Sequence, residues 1–186
     1  MYVSINTFTL ASASEARRKI MQSSFGFPFE IEAADLNEKE ILGSSPDSTA
    51  TERAKAKAYH VAKQKKSSLI IASDQTMSLE GQLFDKPSNK DAAYQQIKLL
   101  AGKKHYLHTA YYLLAVDEQG NAVSFKGCSN LHTTELHMRT LSEQMIRAYV
   151  ETGEWRGCVG GYRVEGHGAQ LWAPLVQWSK VRIVEE

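Results

Sequence analysis

Apolar positions come in short runs that alternate with longer amphipathic stretches, a pattern that predicts an α/β fold. Thr7 to Ala11 predicts a first strand. The loop SASEA then leads into a helix over Ala16–Phe25, capped by Ser12 or Ser14 and stopped by Gly26 with Pro28. Phe29 to Ala33 predicts a second strand, running into the polar segment ADLNEKEILGSSPDS, which offers carboxylates and turn residues but little core. Over Thr49–Lys65, Ala54, Ala58, Val61 and Ala62 fall on one face of a helix. Leu69, Ile70, Ile71 and Ala72 form a continuous apolar run that predicts a buried strand. MSLEGQLFDKP then predicts a hairpin with Glu80-Gly81 at its tip.

Ser88 opens a further predicted helix, SNKDAAYQQIKLLAG, with Ser88 and Asp91 at capping-box spacing and Gly102 at its end. His105 to Val116 is rich in β-formers, Asp117–Asn121 is a turn, and Ala122 to Thr134 predicts the antiparallel partner strand. Ser142 to Glu151 predicts a short helix stopped by Gly153. GCVGGYRVEGHGAQLW is too dense in glycine for a helix and suits turns or a close backbone approach to a ligand. Val176 to Glu185 predicts a terminal strand. No repeat, low-complexity run or linker divides the chain, so residues 1–186 are expected to form a single domain.

Composition narrows the function classes. With 42% apolar and 23% charged residues and a formal net charge of +1, the chain has no basic field to draw nucleic acid. Two cysteines, Cys128 and Cys158, argue against a disulfide-built secreted domain. The N-terminus lacks the charged and apolar regions of a signal peptide, and no stretch approaches a membrane span. The expectation is a cytoplasmic protein with no nucleic-acid or membrane partner.

Three constellations carry candidate chemistry. Asp74 stands just past the buried run, where open α/β sheets bind ligands; there it could hold a metal or activate a water, or simply cap a turn or helix. Ser12, Ser14, Arg17 and Arg18 lie between a strand and a helix start, which suits phosphate through free amides and charge-assisted bonds, or is a capped surface helix. It is not a P-loop, because GxxxxGK[ST] is absent. Glu38, Lys57, Asp74 and Lys86 together are a kit for a magnesium ion holding a polyphosphate while water attacks, though each lysine alone reads as surface charge. If Gln75 and Glu165 face one pocket, the carboxylate can accept from a guanine edge and Gln75 can serve its O6; otherwise Glu165 is a polar loop residue. The histidines lack HExxH spacing, the cysteines lack a CxxC partner, and no GxSxG elbow occurs.

Five segments in order resemble the Maf family of nucleotide pyrophosphatases: LASASEARRKIM, ERAKAKAYHVA, IIASDQT, DKPSNKDAAYQQIKLLAGKKHYLHTA and YVETGEWRGCVGGYRVEGHGAQLW. The resemblance runs from Thr9 to Trp172. It implies an elongated α/β fold shared with the ITPase type, with a central mixed sheet flanked by helices and a cleft between two lobes. It implies hydrolysis of a non-standard or modified nucleoside triphosphate to the monophosphate and pyrophosphate with a divalent metal, magnesium or else manganese, and suggests a homodimer. By position, Asp74 matches the family's proton acceptor, while Ser12, Ser14 and Arg17 match its phosphate loop. Glu38, Lys57 and Lys86 match its acidic and basic cleft residues, and Asp74 with Glu38 are the implied metal ligands.

The Asp74-Gln75 pair and the Cys158…Glu165-Gly166 pattern resemble the 7-methyl-GTP branch, while the thymidine/uridine branch differs at those places. Three features depart from the family pattern. Ala16 replaces a large specificity residue and cannot stack on a base, which leaves Trp155 as the candidate for a cation–π contact. Asn37 stands before Glu38 where an acid is usual, and the chain stops at Glu186, before the family's Gly-Leu-Pro-Leu segment and last helix. The sequence thus points to a nucleoside triphosphate pyrophosphatase, with 7-methyl-GTP as the expected substrate. A pyrophosphatase for dTTP and UTP, or a non-catalytic nucleotide-binding regulator linked to cell division, are the alternatives.

Overall fold

In the computed structural model, which describes residues 4–123, 125 and 128–172 and the backbone of 183–184, the run Thr7–Ala11 forms β1 where its pattern predicts it. The chain then turns into α1 (Glu15–Ser24). Ser14 is the cap, accepting from the Arg17 amide at 3.4 Å, because the Ser12 hydroxyl already accepts from the Ser14 amide at 3.2 Å. β2 is confined to Glu30–Ile31, since both residues are exposed and little burial rewards a longer strand. A 3₁₀ turn at Glu38–Glu40 interrupts the polar segment.

α2 (Pro46–Ala62) begins earlier than the alanine pattern predicts. Ser45 and Ser48 form a reciprocal capping box and Pro46 occupies the first turn, so residues that read as turn formers start the helix. β3 runs over Ser68–Leu79 without ending at Ala72. Asp74 therefore lies inside a strand and not beyond its tip. Burial alternates along that stretch, with Ile70, Ala72, Asp74 and Thr76 buried, so the strand period continues after the apolar run stops. The hairpin to β4 (Gln82–Phe84) turns at Glu80 and Gly81, with φ of 53° and 79°, as the tip predicts.

α3 (Lys90–Leu100) is capped by Asn89, whose side chain accepts from the Ala92 amide at 2.8 Å; Ser88 does not cap it. β5 (Lys104–Val116) is followed by the predicted turn, in which Asp117 accepts from the Asn121 amide at 2.7 Å. Its expected single partner is split into β6 (Ala122–Val123) and β7 (Ser129–His137). α4 (Glu143–Glu151) is capped by Ser142. The glycine-dense segment forms only short 3₁₀ turns, Val159–Gly161 and His167–Leu171. Of the expected terminal strand, Ile183–Val184 forms β8; its other residues lie outside the described ones.

The strands form one mixed sheet in the order β2-β1-β3-β5-β7-β8, with β4 on β3 and β6 on β5. β1 pairs in parallel with β2 and β3, whereas the β3–β4, β5–β6 and β7–β8 pairs are antiparallel. The fold is thus α/β, as the pattern predicts, around a mixed sheet, as the family resemblance implies.

Two compact units divide the chain, Met1–Asp74 with Thr109–Leu131, and Gln75–His108 with His132–Glu186. The core of the first is built on alanine: Ala50, Ala54, Ala58 and Ala62 of α2 cluster with Ile70, Ala72, Ala110 and Leu114. The core of the second is built on large side chains, among them Met77, Ile97, Leu100, Tyr149, Trp155 and Trp172. No helix among the described residues is long and apolar enough to cross a membrane.

Candidate functional site

The parallel register of β1 and β3 sets the site. Ala11 is paired with Ala72, so the loop leaving β1 at Ser12 starts level with the stretch of β3 that leads to Asp74. In that loop the Arg17 Nη1 donates to Ser12 Oγ at 3.3 Å. Burial pulls the Arg17 guanidinium below its ordinary value, and the negative charges of Asp74 and Glu38 pull it back up. Opposing effects of this kind arise only if the three charges share one surrounding.

Lys57 comes from α2. Its Nζ lies 2.5 Å from Asp74 Oδ1 and 2.7 Å from Glu38 Oε1, so one ammonium joins two carboxylates. The alanines at 54 and 58 leave no bulk between α2 and the sheet, and this lets the lysine reach the strand. Asp74 is 4% exposed and Lys57 7%, so the pair is largely withdrawn from water, where charge interactions strengthen. Asp74 Oδ2 is buried and accepts no hydrogen bond from any described residue. A buried carboxylate oxygen without a donor is costly unless a ligand, cation or water completes it.

The first unit therefore brings together Ser12, Ser14, Arg17, Glu38, Lys57 and Asp74. Ala16 is exposed in the first turn of α1. Gln75 follows Asp74 on β3 and belongs to the second unit, and the pleat directs neighbouring side chains to opposite faces. Lys86, exposed after β4, and Glu165, exposed in a turn beside Arg163, also belong to the second unit. Trp155 does not provide the expected stacking surface. It is 5% exposed in the core of the second unit, its indole N–H donates to the Val150 carbonyl at 3.1 Å, and the Arg156 guanidinium covers its ring. Asn37 donates to Glu40 at 2.6 Å and so engages its own 3₁₀ turn.

Two polar groups on α2 were not singled out by pattern. Thr49 and Arg53 precede Lys57 at intervals of four, and both are buried. That spacing places them on one helix face, a signal present in the sequence but hidden by the attention the alanines attract.

Among the described residues, no group of three or more His, Cys, Asp or Glu side chains is arranged to hold a metal. The carboxylates of Asp74 and Glu38, drawn together by Lys57, are nevertheless of the kind magnesium takes, one or two carboxylates with water and phosphate oxygens completing its shell.

Comparisons with known proteins identify the family. A dTTP/UTP pyrophosphatase from Pyrococcus furiosus is 35% identical over 87% of this chain and 80% of its own length. A 7-methyl-GTP pyrophosphatase from Rhizobium meliloti is 37% identical over 87% of this chain and 81% of its own, and a nucleoside triphosphate pyrophosphatase from Nostoc punctiforme is 31% identical over 89% and 80%. Among solved structures, a HAM1 protein from Coxiella burnetii is a distant likeness, with a TM-score of 0.43 and 16% identity over 72% of each chain. The family model for Maf-like protein matches residues 7–177, and the chain belongs to that family.

Proposed function

We propose that this protein is a metal-dependent nucleoside triphosphate pyrophosphatase. Water attacks the α-phosphorus, the bond from that phosphorus to the bridging oxygen breaks, and pyrophosphate leaves a nucleoside monophosphate behind. The observation that carries the proposal is the half-satisfied carboxylate: Asp74 is paired with Lys57 through Oδ1, while Oδ2 is buried with no donor among the described residues. Oδ2 accepts the proton of the attacking water as general base. Arg17 and Lys57 neutralise charge that grows on the phosphates, the effect that dominates phosphoryl transfer. The hydroxyls of Ser12 and Ser14 and the N-terminal end of α1 cradle the phosphate chain.

Asp74 and Glu38 would hold magnesium, with manganese as the alternative, and when bound the ion supplies positive charge that polarises the phosphates. The relatives are named for both branches, so identity alone does not select a base. The sequence patterns Asp74-Gln75 and Glu165-Gly166 support a modified purine, 7-methyl-GTP, as the base.

A panel of triphosphates assayed for pyrophosphate release with magnesium tests both levels. Release with 7-methyl-GTP preferred over dTTP and UTP is the expected result. Preference for dTTP or UTP would overturn the base assignment alone, and tight binding with no release would overturn the enzyme and leave a nucleotide-binding regulator.

A further inference from the structure

Three side chains spaced by four on α2 each grip the segment that precedes the helix. Thr49 Oγ1 accepts from the Gly43 amide at 2.9 Å and donates to the Ser45 carbonyl at 2.8 Å. Arg53 Nε donates to the Ile41 carbonyl at 3.1 Å. Lys57 Nζ pairs with Glu38 at 2.7 Å. The partners fall at 43, 41 and 38 as the helix residues rise from 49 to 57, so the segment runs back along the helix, held at each turn.

The middle rung is the unusual one. Arg53 is 5% exposed, and burying a guanidinium is expensive unless hydrogen bonds or charges meet it, as the Ile41 carbonyl does at Nε. Ile41 closes the 3₁₀ turn that carries Glu38, its amide donating to the Glu38 carbonyl at 3.2 Å. Holding Ile41 therefore fixes the turn from which Glu38 reaches Lys57. The first rung admits no bulk: a Cβ at Gly43 would lie 2.2 Å from Ser48 Oγ and 2.7 Å from the Thr49 amide nitrogen. Segment and helix are in close contact at that end.

We infer that Arg53 is a positioning residue of the proposed pyrophosphatase: by clamping the Ile41 carbonyl it sets the Glu38 carboxylate against Lys57 and beside Asp74. Arg53 touches neither substrate nor metal, and its effect on turnover passes through Glu38. The activity arm of this inference rests on the pyrophosphatase reading; the exchange arm described below does not.

Pyrophosphate release is measured for the full chain and for Arg53→Met, Arg53→Lys, Glu38→Gln and the double variant Glu38→Gln/Arg53→Met. Arg53→Met lowers kcat roughly ten- to hundredfold with KM for the nucleotide little changed. Arg53→Lys, which keeps a donor for the Ile41 carbonyl, recovers most of that loss. In the Glu38→Gln background the same Arg53→Met change costs less than about twofold, because the group it positions is already gone. An equal loss in both backgrounds, or no loss in either, overturns the inference.

Hydrogen exchange provides the second arm. In Arg53→Met the Glu40 and Ile41 amides exchange about tenfold faster while the Ile70–Ala72 amides keep their protection. Unchanged exchange at Ile41, or a uniform rise across the first unit, also overturns it. Should Arg53→Met fail to fold, Arg53→Lys carries both arms. If the wild-type chain releases no pyrophosphate, the enzyme reading falls, and the exchange pattern still decides whether Arg53 holds the turn.

Discussion

The two units solve the problem of burial in opposite ways. The first has a core of small residues, Ala11, Ala50, Ala54, Ala58, Ala62, Ala72 and Ala110, and it buries polar and charged groups as well: Thr9, Ser12, Thr49, Arg53, Lys57 and Asp74. The second fills its core with Met77, Ile97, Leu100, Tyr149, Trp155 and Trp172. Large apolar side chains contribute most of the free energy available from burial, on the order of 1.5–3 kcal/mol each. Alanines contribute less but let backbones approach, and the first unit uses that closeness to bring a helix lysine to a strand aspartate. The unit that carries the chemistry thus spends stability on charge, while the other is organised for packing.

Burial also holds titratable groups neutral in the second unit. In the second unit His105 is fully buried with its Nε2 2.7 Å from the Tyr162 hydroxyl, and burial holds its imidazole down at about 4. Burial likewise pushes the Tyr149 hydroxyl up to about 12 and Tyr162 higher still. These are groups kept neutral. Burial raises the Tyr112 hydroxyl of the first unit in the same way, but that unit also buries the ion pair of Lys57 and Asp74.

The largest effect is expected where the charge set is broken. Lys57→Met leaves two carboxylates without their shared cation, which should cost roughly 3–5 kcal/mol of stability and abolish turnover. Adding Asp74→Leu should return much of the stability and none of the activity, as urea unfolding and a pyrophosphate assay would show. In the second unit Ile97→Ala should cost roughly 2–5 kcal/mol by opening a cavity while kcat of the folded enzyme stays unchanged. A fall in kcat with intact folding would mean that the two regions are not separate in role.

Acid should act next. His105 takes up its proton near 6.5 in the unfolded chain but only near 4 when folded. Its contribution is therefore fully present above that upper value and lost as the pH falls toward the lower one, by roughly 3 kcal/mol in all. His105→Gln should flatten this limb of the stability profile, which thermal unfolding across the pH range measures. The smallest effect is expected from Ala58→Val, where two added methyl groups at a fully buried position cost about 1–2 kcal/mol. Because position 58 adjoins Lys57, that variant should also lower kcat, in contrast to Ile97→Ala.

Much of the fold is legible in the sequence where one signal dominates. β1 and the Glu80-Gly81 turn are of this kind, set by a clean apolar run and by paired residues that accept positive φ. Where two signals compete, the boundary moves. Ser45-Pro46 reads as a turn yet starts α2, because a proline in the first turn loses no hydrogen bond. β3 passes through Ser73, Asp74 and Gln75 because alternation of burial, not unbroken apolar character, sustains a strand.

The candidate site divides in the same fashion. Asp74 and the Ser12–Arg17 loop are marked by their place after apolar runs, whereas nothing local couples Glu38 to Lys57. That pairing depends on the Thr49, Arg53 and Lys57 ladder, a spacing readable only once the direction of the preceding segment is known. Trp155 differs from its expectation for a related reason: a tryptophan in a glycine-rich stretch predicts a stacking surface, and its own packing removes it.

The central claim is that the Asp74 carboxylate performs the proton transfer, and Asp74→Asn tests it most directly because the side chain keeps its shape and loses its charge. Triphosphate binding by calorimetry should persist, thermal unfolding should show an intact fold, and pyrophosphate release should fall by roughly a thousandfold. Release at close to the wild-type rate would contradict the account.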